Sequence, residues 1–138
     1  MAEGYKVITF AASKLPEQYH AMIFSKFLRS LRYGNQYFRL IDQKAYFDVY
    51  QKYLATIMAR AQAEVKLAVL ADDFDVVLGW SLLEPHKVHY VYVNRDNRNI
   101  GIGASLLPAH FETFTHLTNK AMTIWNKKFP HATFNPFA

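Results

Sequence analysis

Between two apolar stretches of this 138-residue chain runs Val93-Asn94-Arg95-Asp96-Asn97-Arg98-Asn99-Ile100-Gly101-Ile102-Gly103, whose residue types suit the binding of phosphate. Ahead of it, residues 87–93 (Lys-Val-His-Tyr-Val-Tyr-Val) are β-branched and aromatic, as a strand within a sheet requires. Behind it, Ala104-Ser105-Leu106-Leu107 opens a helix. A helix starting at Gly101 to Gly103 leaves its first backbone N–H groups without intrahelical partners, and its dipole adds to their attraction for an anion. Arg98 supplies a mobile positive charge beside them. Glycine lets a bulky pyrophosphate approach backbone that a Cβ would shield. The same residues also suit an ordinary strand-to-helix turn with a tight glycine corner.

The spacing Arg98-x-x-Gly101-x-Gly103, together with the interval from Val93 to Arg98, resembles the acyl-coenzyme A signature of the GNAT acetyltransferase superfamily. In that family a strand ending in Val runs into Arg/Gln-x-x-Gly-x-Gly/Ala and then a helix. The resemblance implies acetyl-coenzyme A, or another acyl-coenzyme A, as cosubstrate. It would lie in a V-shaped gap between the strand ending at Val93 and a strand over residues 114–118. Val91 and Val93 would then offer backbone groups to the pantetheine arm. Arg98, Asn99, Ile100, Gly101, Ile102, Gly103 and Ala104 would hold the pyrophosphate, and Asn119 would contact the coenzyme arm. The connection between the first two helices shapes the acceptor site in this family, which implicates Arg29, Arg32 and Tyr33.

Acyl transfer to an amine needs a neutral nucleophile, a donor for the thioester oxygen and a proton for the departing thiolate. A backbone N–H of residues 91–93 can be that donor. Glu84, His86, His89 and Tyr90 are the candidate bases, on or just before the strand. Strand alternation puts His89 on one face with Val91 and Val93, and Tyr90 with Tyr92 on the other. The family frequently places a tyrosine seven residues after its Asn. Here Asn119 leads to Asn126, and no tyrosine follows Tyr92.

The remaining segments are those that must hold these residues. Residues 6–12 have strand composition. Pro16 and Glu17 suit the first turn of a helix along which Tyr19, Met22, Ile23, Phe27, Leu28 and Leu31 recur. Residues 29–38 read as a polar, aromatic connection around Gly34. Asp42 can cap a second helix bearing Tyr46, Val49, Tyr50, Tyr53 and Ile57 on one face. Residues 64–71 and 76–83 form a hairpin about an acidic turn at residues 72–75, and residues 87–93 add its third strand. A helix over residues 103–111, shortened or kinked by Pro108, a strand over 114–118, a helix over 120–128 and a strand over 132–137 complete the chain. The expected fold is thus α+β: a mixed, mostly antiparallel sheet of about six strands with helices on both faces, in the order β-α-α-β-β-β-α-β-α-β. That is the GNAT order. The further strand with which family members often close is missing from this sequence, implying a short member that lacks part of the acceptor-side wall.

Composition sets the outer bounds. A content of 51% hydrophobic and 16% aromatic residues describes one globular domain with a core. There is no cysteine, hence neither disulfide framework nor thiol nucleophile, which fits a reducing compartment. Without a signal-like N-terminus or a long apolar run, a soluble cytoplasmic protein is expected. The formal net charge of +5 is spread along the chain without a dense basic run, so it suits a polyphosphate coenzyme as well as weak nucleic-acid association. His110 and His116 flank Glu112 at a spacing unsuited to one helix face, so no metal is expected. Ser105 lacks a nucleophile elbow, which argues against a hydrolase. Two classes stay open: an N-acetyltransferase acting on a primary amine of a small molecule or protein, and a non-catalytic accessory protein on the same fold, of the kind phage-like genomes carry. Either could form a homodimer.

Overall fold

The computed structural model describes residues 4–94, 101–116, 129–136 and 138. Strand β1 (Tyr5–Ala11) leads to α1 (Glu17–Gly34) and α2 (Gln43–Met58). The meander β2 (Glu64–Leu70), β3 (Asp73–Glu84) and β4 (Lys87–Val93) follows, then α3 (Ile102–Leu106), β5 (Thr113–Phe114) and β6 (Thr133–Phe134). The strands form one six-stranded sheet in the order β1-β2-β3-β4-β5-β6. Pairing is antiparallel from β1 to β4 and parallel from β4 to β6. This is the expected mixed α+β architecture.

Side-chain alternation divides the sheet between two layers of helix. Val65, Leu67, Val69, Trp80, Leu82 and Tyr90 pack with Ile23, Phe27 and Leu31 of α1 and Leu54 and Ile57 of α2. Each fully buried aliphatic or aromatic side chain there contributes about 1.5–3 kcal/mol. On the opposite face Ala68 and Leu78, with Val91 and Val93 beside them, meet Ile102 and Leu106 of α3. Gly79 allows this second layer to sit close: a Cβ there would lie 2.7 Å from the Tyr92 carbonyl oxygen and 3.2 Å from Leu106 Cδ1.

Several boundaries depart from the sequence expectation. Residues 29–34 are the last turns of α1, not a connection, because buried Leu28, Leu31 and Arg32 carry the helical stripe onward. The chain leaves the helix at Asn35, which is extended and whose Oδ1 accepts from the Tyr37 N–H at 2.8 Å. Asp42 caps α2 as expected, accepting from the Ala45 N–H at 3.0 Å. The acidic residues 73 and 75 belong to β3, so the β2–β3 turn is tighter than the sequence suggested. Helix α3 stops at Leu106 because Leu107, which precedes Pro108, is extended as that position favours. Strands β5 and β6 are shorter than residues 114–118 and 132–137. The helix expected over residues 120–128 lies outside the described residues.

Candidate functional site

The site is built around β4 and the end of its described pairing with β5. At the start of β4, Pro85 and His86 make the turn from β3, with His86 at a positive φ of 64°. The His86 carbonyl oxygen accepts from the N–H groups of Glu112 (3.0 Å) and Thr113 (3.2 Å), which ties β5 to this corner. The two strands pair at Lys87 with Thr113 and Val88 with Phe114, and the Thr115 N–H still reaches the Val88 carbonyl at 3.1 Å. Beyond that point β4 continues to Val93, half-buried from Val91 onward. Among the described residues the parallel pairing therefore covers only the first part of β4, and the point where it ends, with Val91 and Val93 farther along β4, is termed the fork.

A β-bulge sits at this fork. Leu82 pairs with Tyr90 and Leu83 with Val88, so His89 is an extra residue on β4. As a result Val88 and Val91 share one face, in the cluster of Leu83, Phe111 and Phe114. The expectation that His89 lies with Val91 and Val93 is corrected: the bulge turns it out of that alternation. Its ring joins Glu84, which Arg60, just past the end of α2, grips from the α1/α2 side.

From Arg60 a line of polar groups crosses the fork. Arg60 Nη1 donates to Glu84 Oε1 at 2.7 Å, and His89 Nε2 donates to the same oxygen at 2.8 Å. His89 Nδ1 and Thr115 Oγ1 are 2.8 Å apart, as are Thr115 Oγ1 and His116 Nδ1. His116 Nδ1 also donates to the His89 carbonyl oxygen at 3.1 Å. Partial burial pulls the Glu84 carboxyl upward, but hydrogen bonds from Arg60 and His89 and the Arg60 charge outweigh it and hold it below the usual carboxylate range. Desolvation lowers His89, against the opposing pull of Glu84. Burial foremost, then the neighbouring His89, pushes His116 down to about 4. Near neutral pH Glu84 is thus a carboxylate and both imidazoles are uncharged.

Aromatic rings close around His116. Phe27 of α1 is 5.1 Å from it, Tyr53 of α2 5.5 Å and Tyr90 of β4 6.4 Å, centroid to centroid. The Ser30 hydroxyl donates to the Lys26 carbonyl oxygen. The Tyr90 hydroxyl, 2.8 Å from Ser30 Oγ, therefore donates to that oxygen, and its proton is engaged there. Glu84 also borders an open cleft of about 560 Å³, lined by His86, Pro108, Gln62 and Lys66 among others.

At the far end of the fork, Gly101 is the N-cap of α3, in the left-handed region at φ 89°. Among the described residues, a Cβ on Gly101 would meet nothing within 4 Å, and one on Gly103 would meet only Val93 Cγ2, at 3.8 Å. The glycines thus place no side chain of their own in front of the first N–H groups of α3. With only five residues, α3 has a small dipole; its N–H groups and the missing Cβ atoms are what it offers an anion. Ile102 is buried beneath this corner and Ala104 exposed on it.

Arg98, Asn99, Ile100, Asn119 and Asn126 lie outside the described residues. Arg29 and Tyr33 are exposed on the last turns of α1, whereas Arg32 is buried. Among the described residues its Nε and Nη1 have no hydrogen-bond partner, and its guanidinium lies 5.4 Å from the Tyr46 ring centroid and 5.9 Å from that of Tyr33.

No protein-family profile matches the chain, and no curated protein matches it in sequence. Solved structures do match it in three dimensions. A Pyrococcus furiosus protein provisionally described as an acetyl transferase superposes with a TM-score of 0.64 at 13% identity, covering 91% of each chain. An aminoglycoside acetyltransferase from an uncultured soil metagenomic sample, solved with sisomicin, superposes with a TM-score of 0.52 at 17% identity, covering 97% of this chain and 93% of the other. The fold is that of the GNAT acetyltransferases.

Within that fold α3 follows β4, in the order of elements expected. Glu84 and His89, two of the candidate bases, are joined to one another, while Tyr90 is turned to Ser30. The sequence reading missed Arg60, Thr115 and His116. His116 had entered only as a rejected metal ligand, and among the described residues no group of three or more His, Cys, Asp or Glu could hold a metal ion. Its neighbour in that pattern, His110, instead stacks on His131 with ring centroids 5.7 Å apart. The available signal was the pairing of His89 with His116 on adjacent strands, visible only once the parallel register was known.

Proposed function

We propose that the protein is an N-acyltransferase that moves an acyl group, acetyl in the simplest case, from acyl-coenzyme A to a primary amine by direct attack in a ternary complex. One observation carries this reading: the described pairing of β4 with β5 ends at the start of β4, and β4 leads on to a helix start that carries two glycines, where an added Cβ would meet little among the described residues. An extended pantetheine arm fits along the Val91 to Val93 edge, and a pyrophosphate fits at Ile102, Gly103 and Ala104. Arg98, Asn99 and Ile100 would complete the anion site and Asn119 would touch the arm. A backbone N–H of β4 would hold the thioester oxygen as it gains charge. The acceptor would enter from the end of α1, past Arg29, Arg32 and Tyr33, toward Tyr90 and Glu84. Among the described residues no helix is long and apolar enough to cross a membrane. A chain free of cysteine that uses coenzyme A suits the cytoplasm.

Calorimetry with acetyl-coenzyme A tests the reading. The wild type should give a saturable heat that the Arg98→Glu and Gly103→Glu variants abolish, the latter at a position where the surrounding protein tolerates a side chain. No heat with the wild type would end it. Thiol release with a panel of amines then separates an enzyme from a binder. The second reading, a binding-only protein on this fold, draws on the Tyr90 hydroxyl being engaged by Ser30 and on Asn126 in place of the expected tyrosine: a protein with no ready phenol for the thiolate could hold the coenzyme and transfer nothing.

A further inference from the structure

We infer that His116 Nε2 is the acid–base group of this site, taking a proton from the acceptor nitrogen and returning it to the departing thiolate, with Glu84, His89 and Thr115 holding it in the required tautomer. This rests on the acyl-transfer reading above. The hydrogen bonds fix every proton in the line. Glu84 Oε1, an acceptor only, receives from His89 Nε2, so the neutral His89 ring carries its proton on Nε2. His89 Nδ1 must then accept, and Thr115 Oγ1 donates to it. The Thr115 oxygen is left to accept from His116 Nδ1, and the His89 carbonyl, which can only accept, demands the same. His116 thus carries its proton on Nδ1 and presents a lone pair at Nε2. Among the described residues that nitrogen makes no hydrogen bond.

Position agrees with the assignment. His116 follows the last described backbone bond between β5 and β4, and an arm lying along β4 from the start of α3 would bring its acyl end toward it. Phe27, Tyr53 and Tyr90 wall off water and fix the ring. The groups facing it are His89 and Tyr90 from β4 and Tyr53 from α2. Glu84 and Arg60 act on it through His89, and Phe27 from α1 is uncharged.

The chemistry balances. A neutral amine places its lone pair on the thioester carbon, and the C–N bond forms. The nitrogen, now cationic, gives one proton to His116 Nε2. The C–S bond breaks with its electron pair on sulfur, and the imidazolium returns the proton to the thiolate, which leaves as the thiol. No other proton donor is required, so the missing tyrosine ceases to be an obstacle. A ring that resists protonation cannot strip an alkylammonium ion in the ground state. It can relieve the far more acidic nitrogen of the tetrahedral adduct, and its imidazolium protonates a thiolate readily. Rate should therefore rise with pH along the acceptor amine's own titration, with no limb near the ordinary histidine range.

The test combines a spectroscopic and a kinetic readout. In the full chain, long-range proton–nitrogen correlation spectra of the imidazole rings should show His116 protonated on Nδ1 and His89 on Nε2. Thr115→Val should shift the ring resonances of both histidines while the His89 carbonyl keeps His116 protonated on Nδ1, and Thr115→Ser should restore them. With an amine found by thiol release, His116→Gln should lower kcat about 100-fold, with acetyl-coenzyme A affinity unchanged by calorimetry. A His116 ring protonated on Nε2, or a His116→Gln variant with wild-type kcat and intact coenzyme binding, overturns the inference and leaves the acyl-transfer reading standing. A wild type that binds no coenzyme overturns that reading and the proton shuttle with it.

Discussion

The imidazole of His116 donates through Nδ1 to the backbone carbonyl of His89 at 3.1 Å, one residue beyond the last described backbone bond between β5 and β4. A side chain thus joins backbone in linking the strands at the end of their described pairing. The bulge that inserts His89 into β4 brings both histidines to this point. A structural irregularity and a polar network therefore coincide, as they do where a fold is shaped for chemistry.

Acid should expose the cost of burying these rings. The folded state holds His116 near 4, against the ordinary 6.5, and lowers His89 as well. Below 6.5 the unfolded chain binds protons that the folded chain refuses. Their stabilisation is fully present above 6.5 and is lost as pH falls toward 4, by roughly 3 kcal/mol for His116 alone at about 1.36 kcal/mol per unit. Glu84, also lowered, adds a loss in the same direction but only below its ordinary 4.5. Urea denaturation from pH 7 to 4 should show the decline, and His116→Phe should flatten it; an equal slope in both proteins refutes the assignment.

Gly79 is the tightest point of the second layer. A methyl group there would meet the Tyr92 carbonyl oxygen at 2.7 Å, and backbone in a central strand cannot swing aside as a side chain could. Gly79→Ala should lower unfolding free energy by about 1–3 kcal/mol, measured in urea. An unchanged midpoint would mean that β3 and β4 are farther apart than described.

Much of this fold was legible because its signals are local. The aromatic stripe of α1, the Asp42 cap and the apolar runs of the meander each report on their own segment. Arg29 to Tyr33 misled because glycine and arginine suggested a connection, while the buried contacts of Leu31 and Arg32 that extend the helix come from distant parts of the chain. The phosphate corner was legible as a motif, since its spacing is contiguous. The Glu84, His89, Thr115 and His116 line was not: Glu84 and His89 lie on two strands, the bulge alters the face of His89, and Thr115 and His116 arrive through a parallel pairing that no local pattern announces.

Arg32 offers a test with an opposite sign. Its buried Nε and Nη1 lack hydrogen-bond partners among the described residues, and the rings of Tyr46 and Tyr33 return only part of the desolvation loss. Methionine has comparable length and no charge to bury. Arg32→Met should raise unfolding free energy by about 1 kcal/mol or more. A loss instead would show that the guanidinium is held by a partner outside the described residues.

The two glycines of the phosphate corner should separate by conformation. Gly101 sits at φ 89°, where a Cβ meets no other atom of the described residues but strains the backbone itself, so Gly101→Ala should cost about 1–2 kcal/mol. Gly103 lies inside α3 without a positive φ, and its added methyl would make only an ordinary contact with Val93 Cγ2 at 3.8 Å. Gly103→Ala should therefore stabilise by about 0.5–1 kcal/mol through helix propensity. Thermal melts of the pair read the signs directly. If both variants are destabilised alike, Gly103 is not in helical backbone and α3 does not begin at Ile102; if neither is, Gly101 does not occupy the left-handed region and the corner has a different shape.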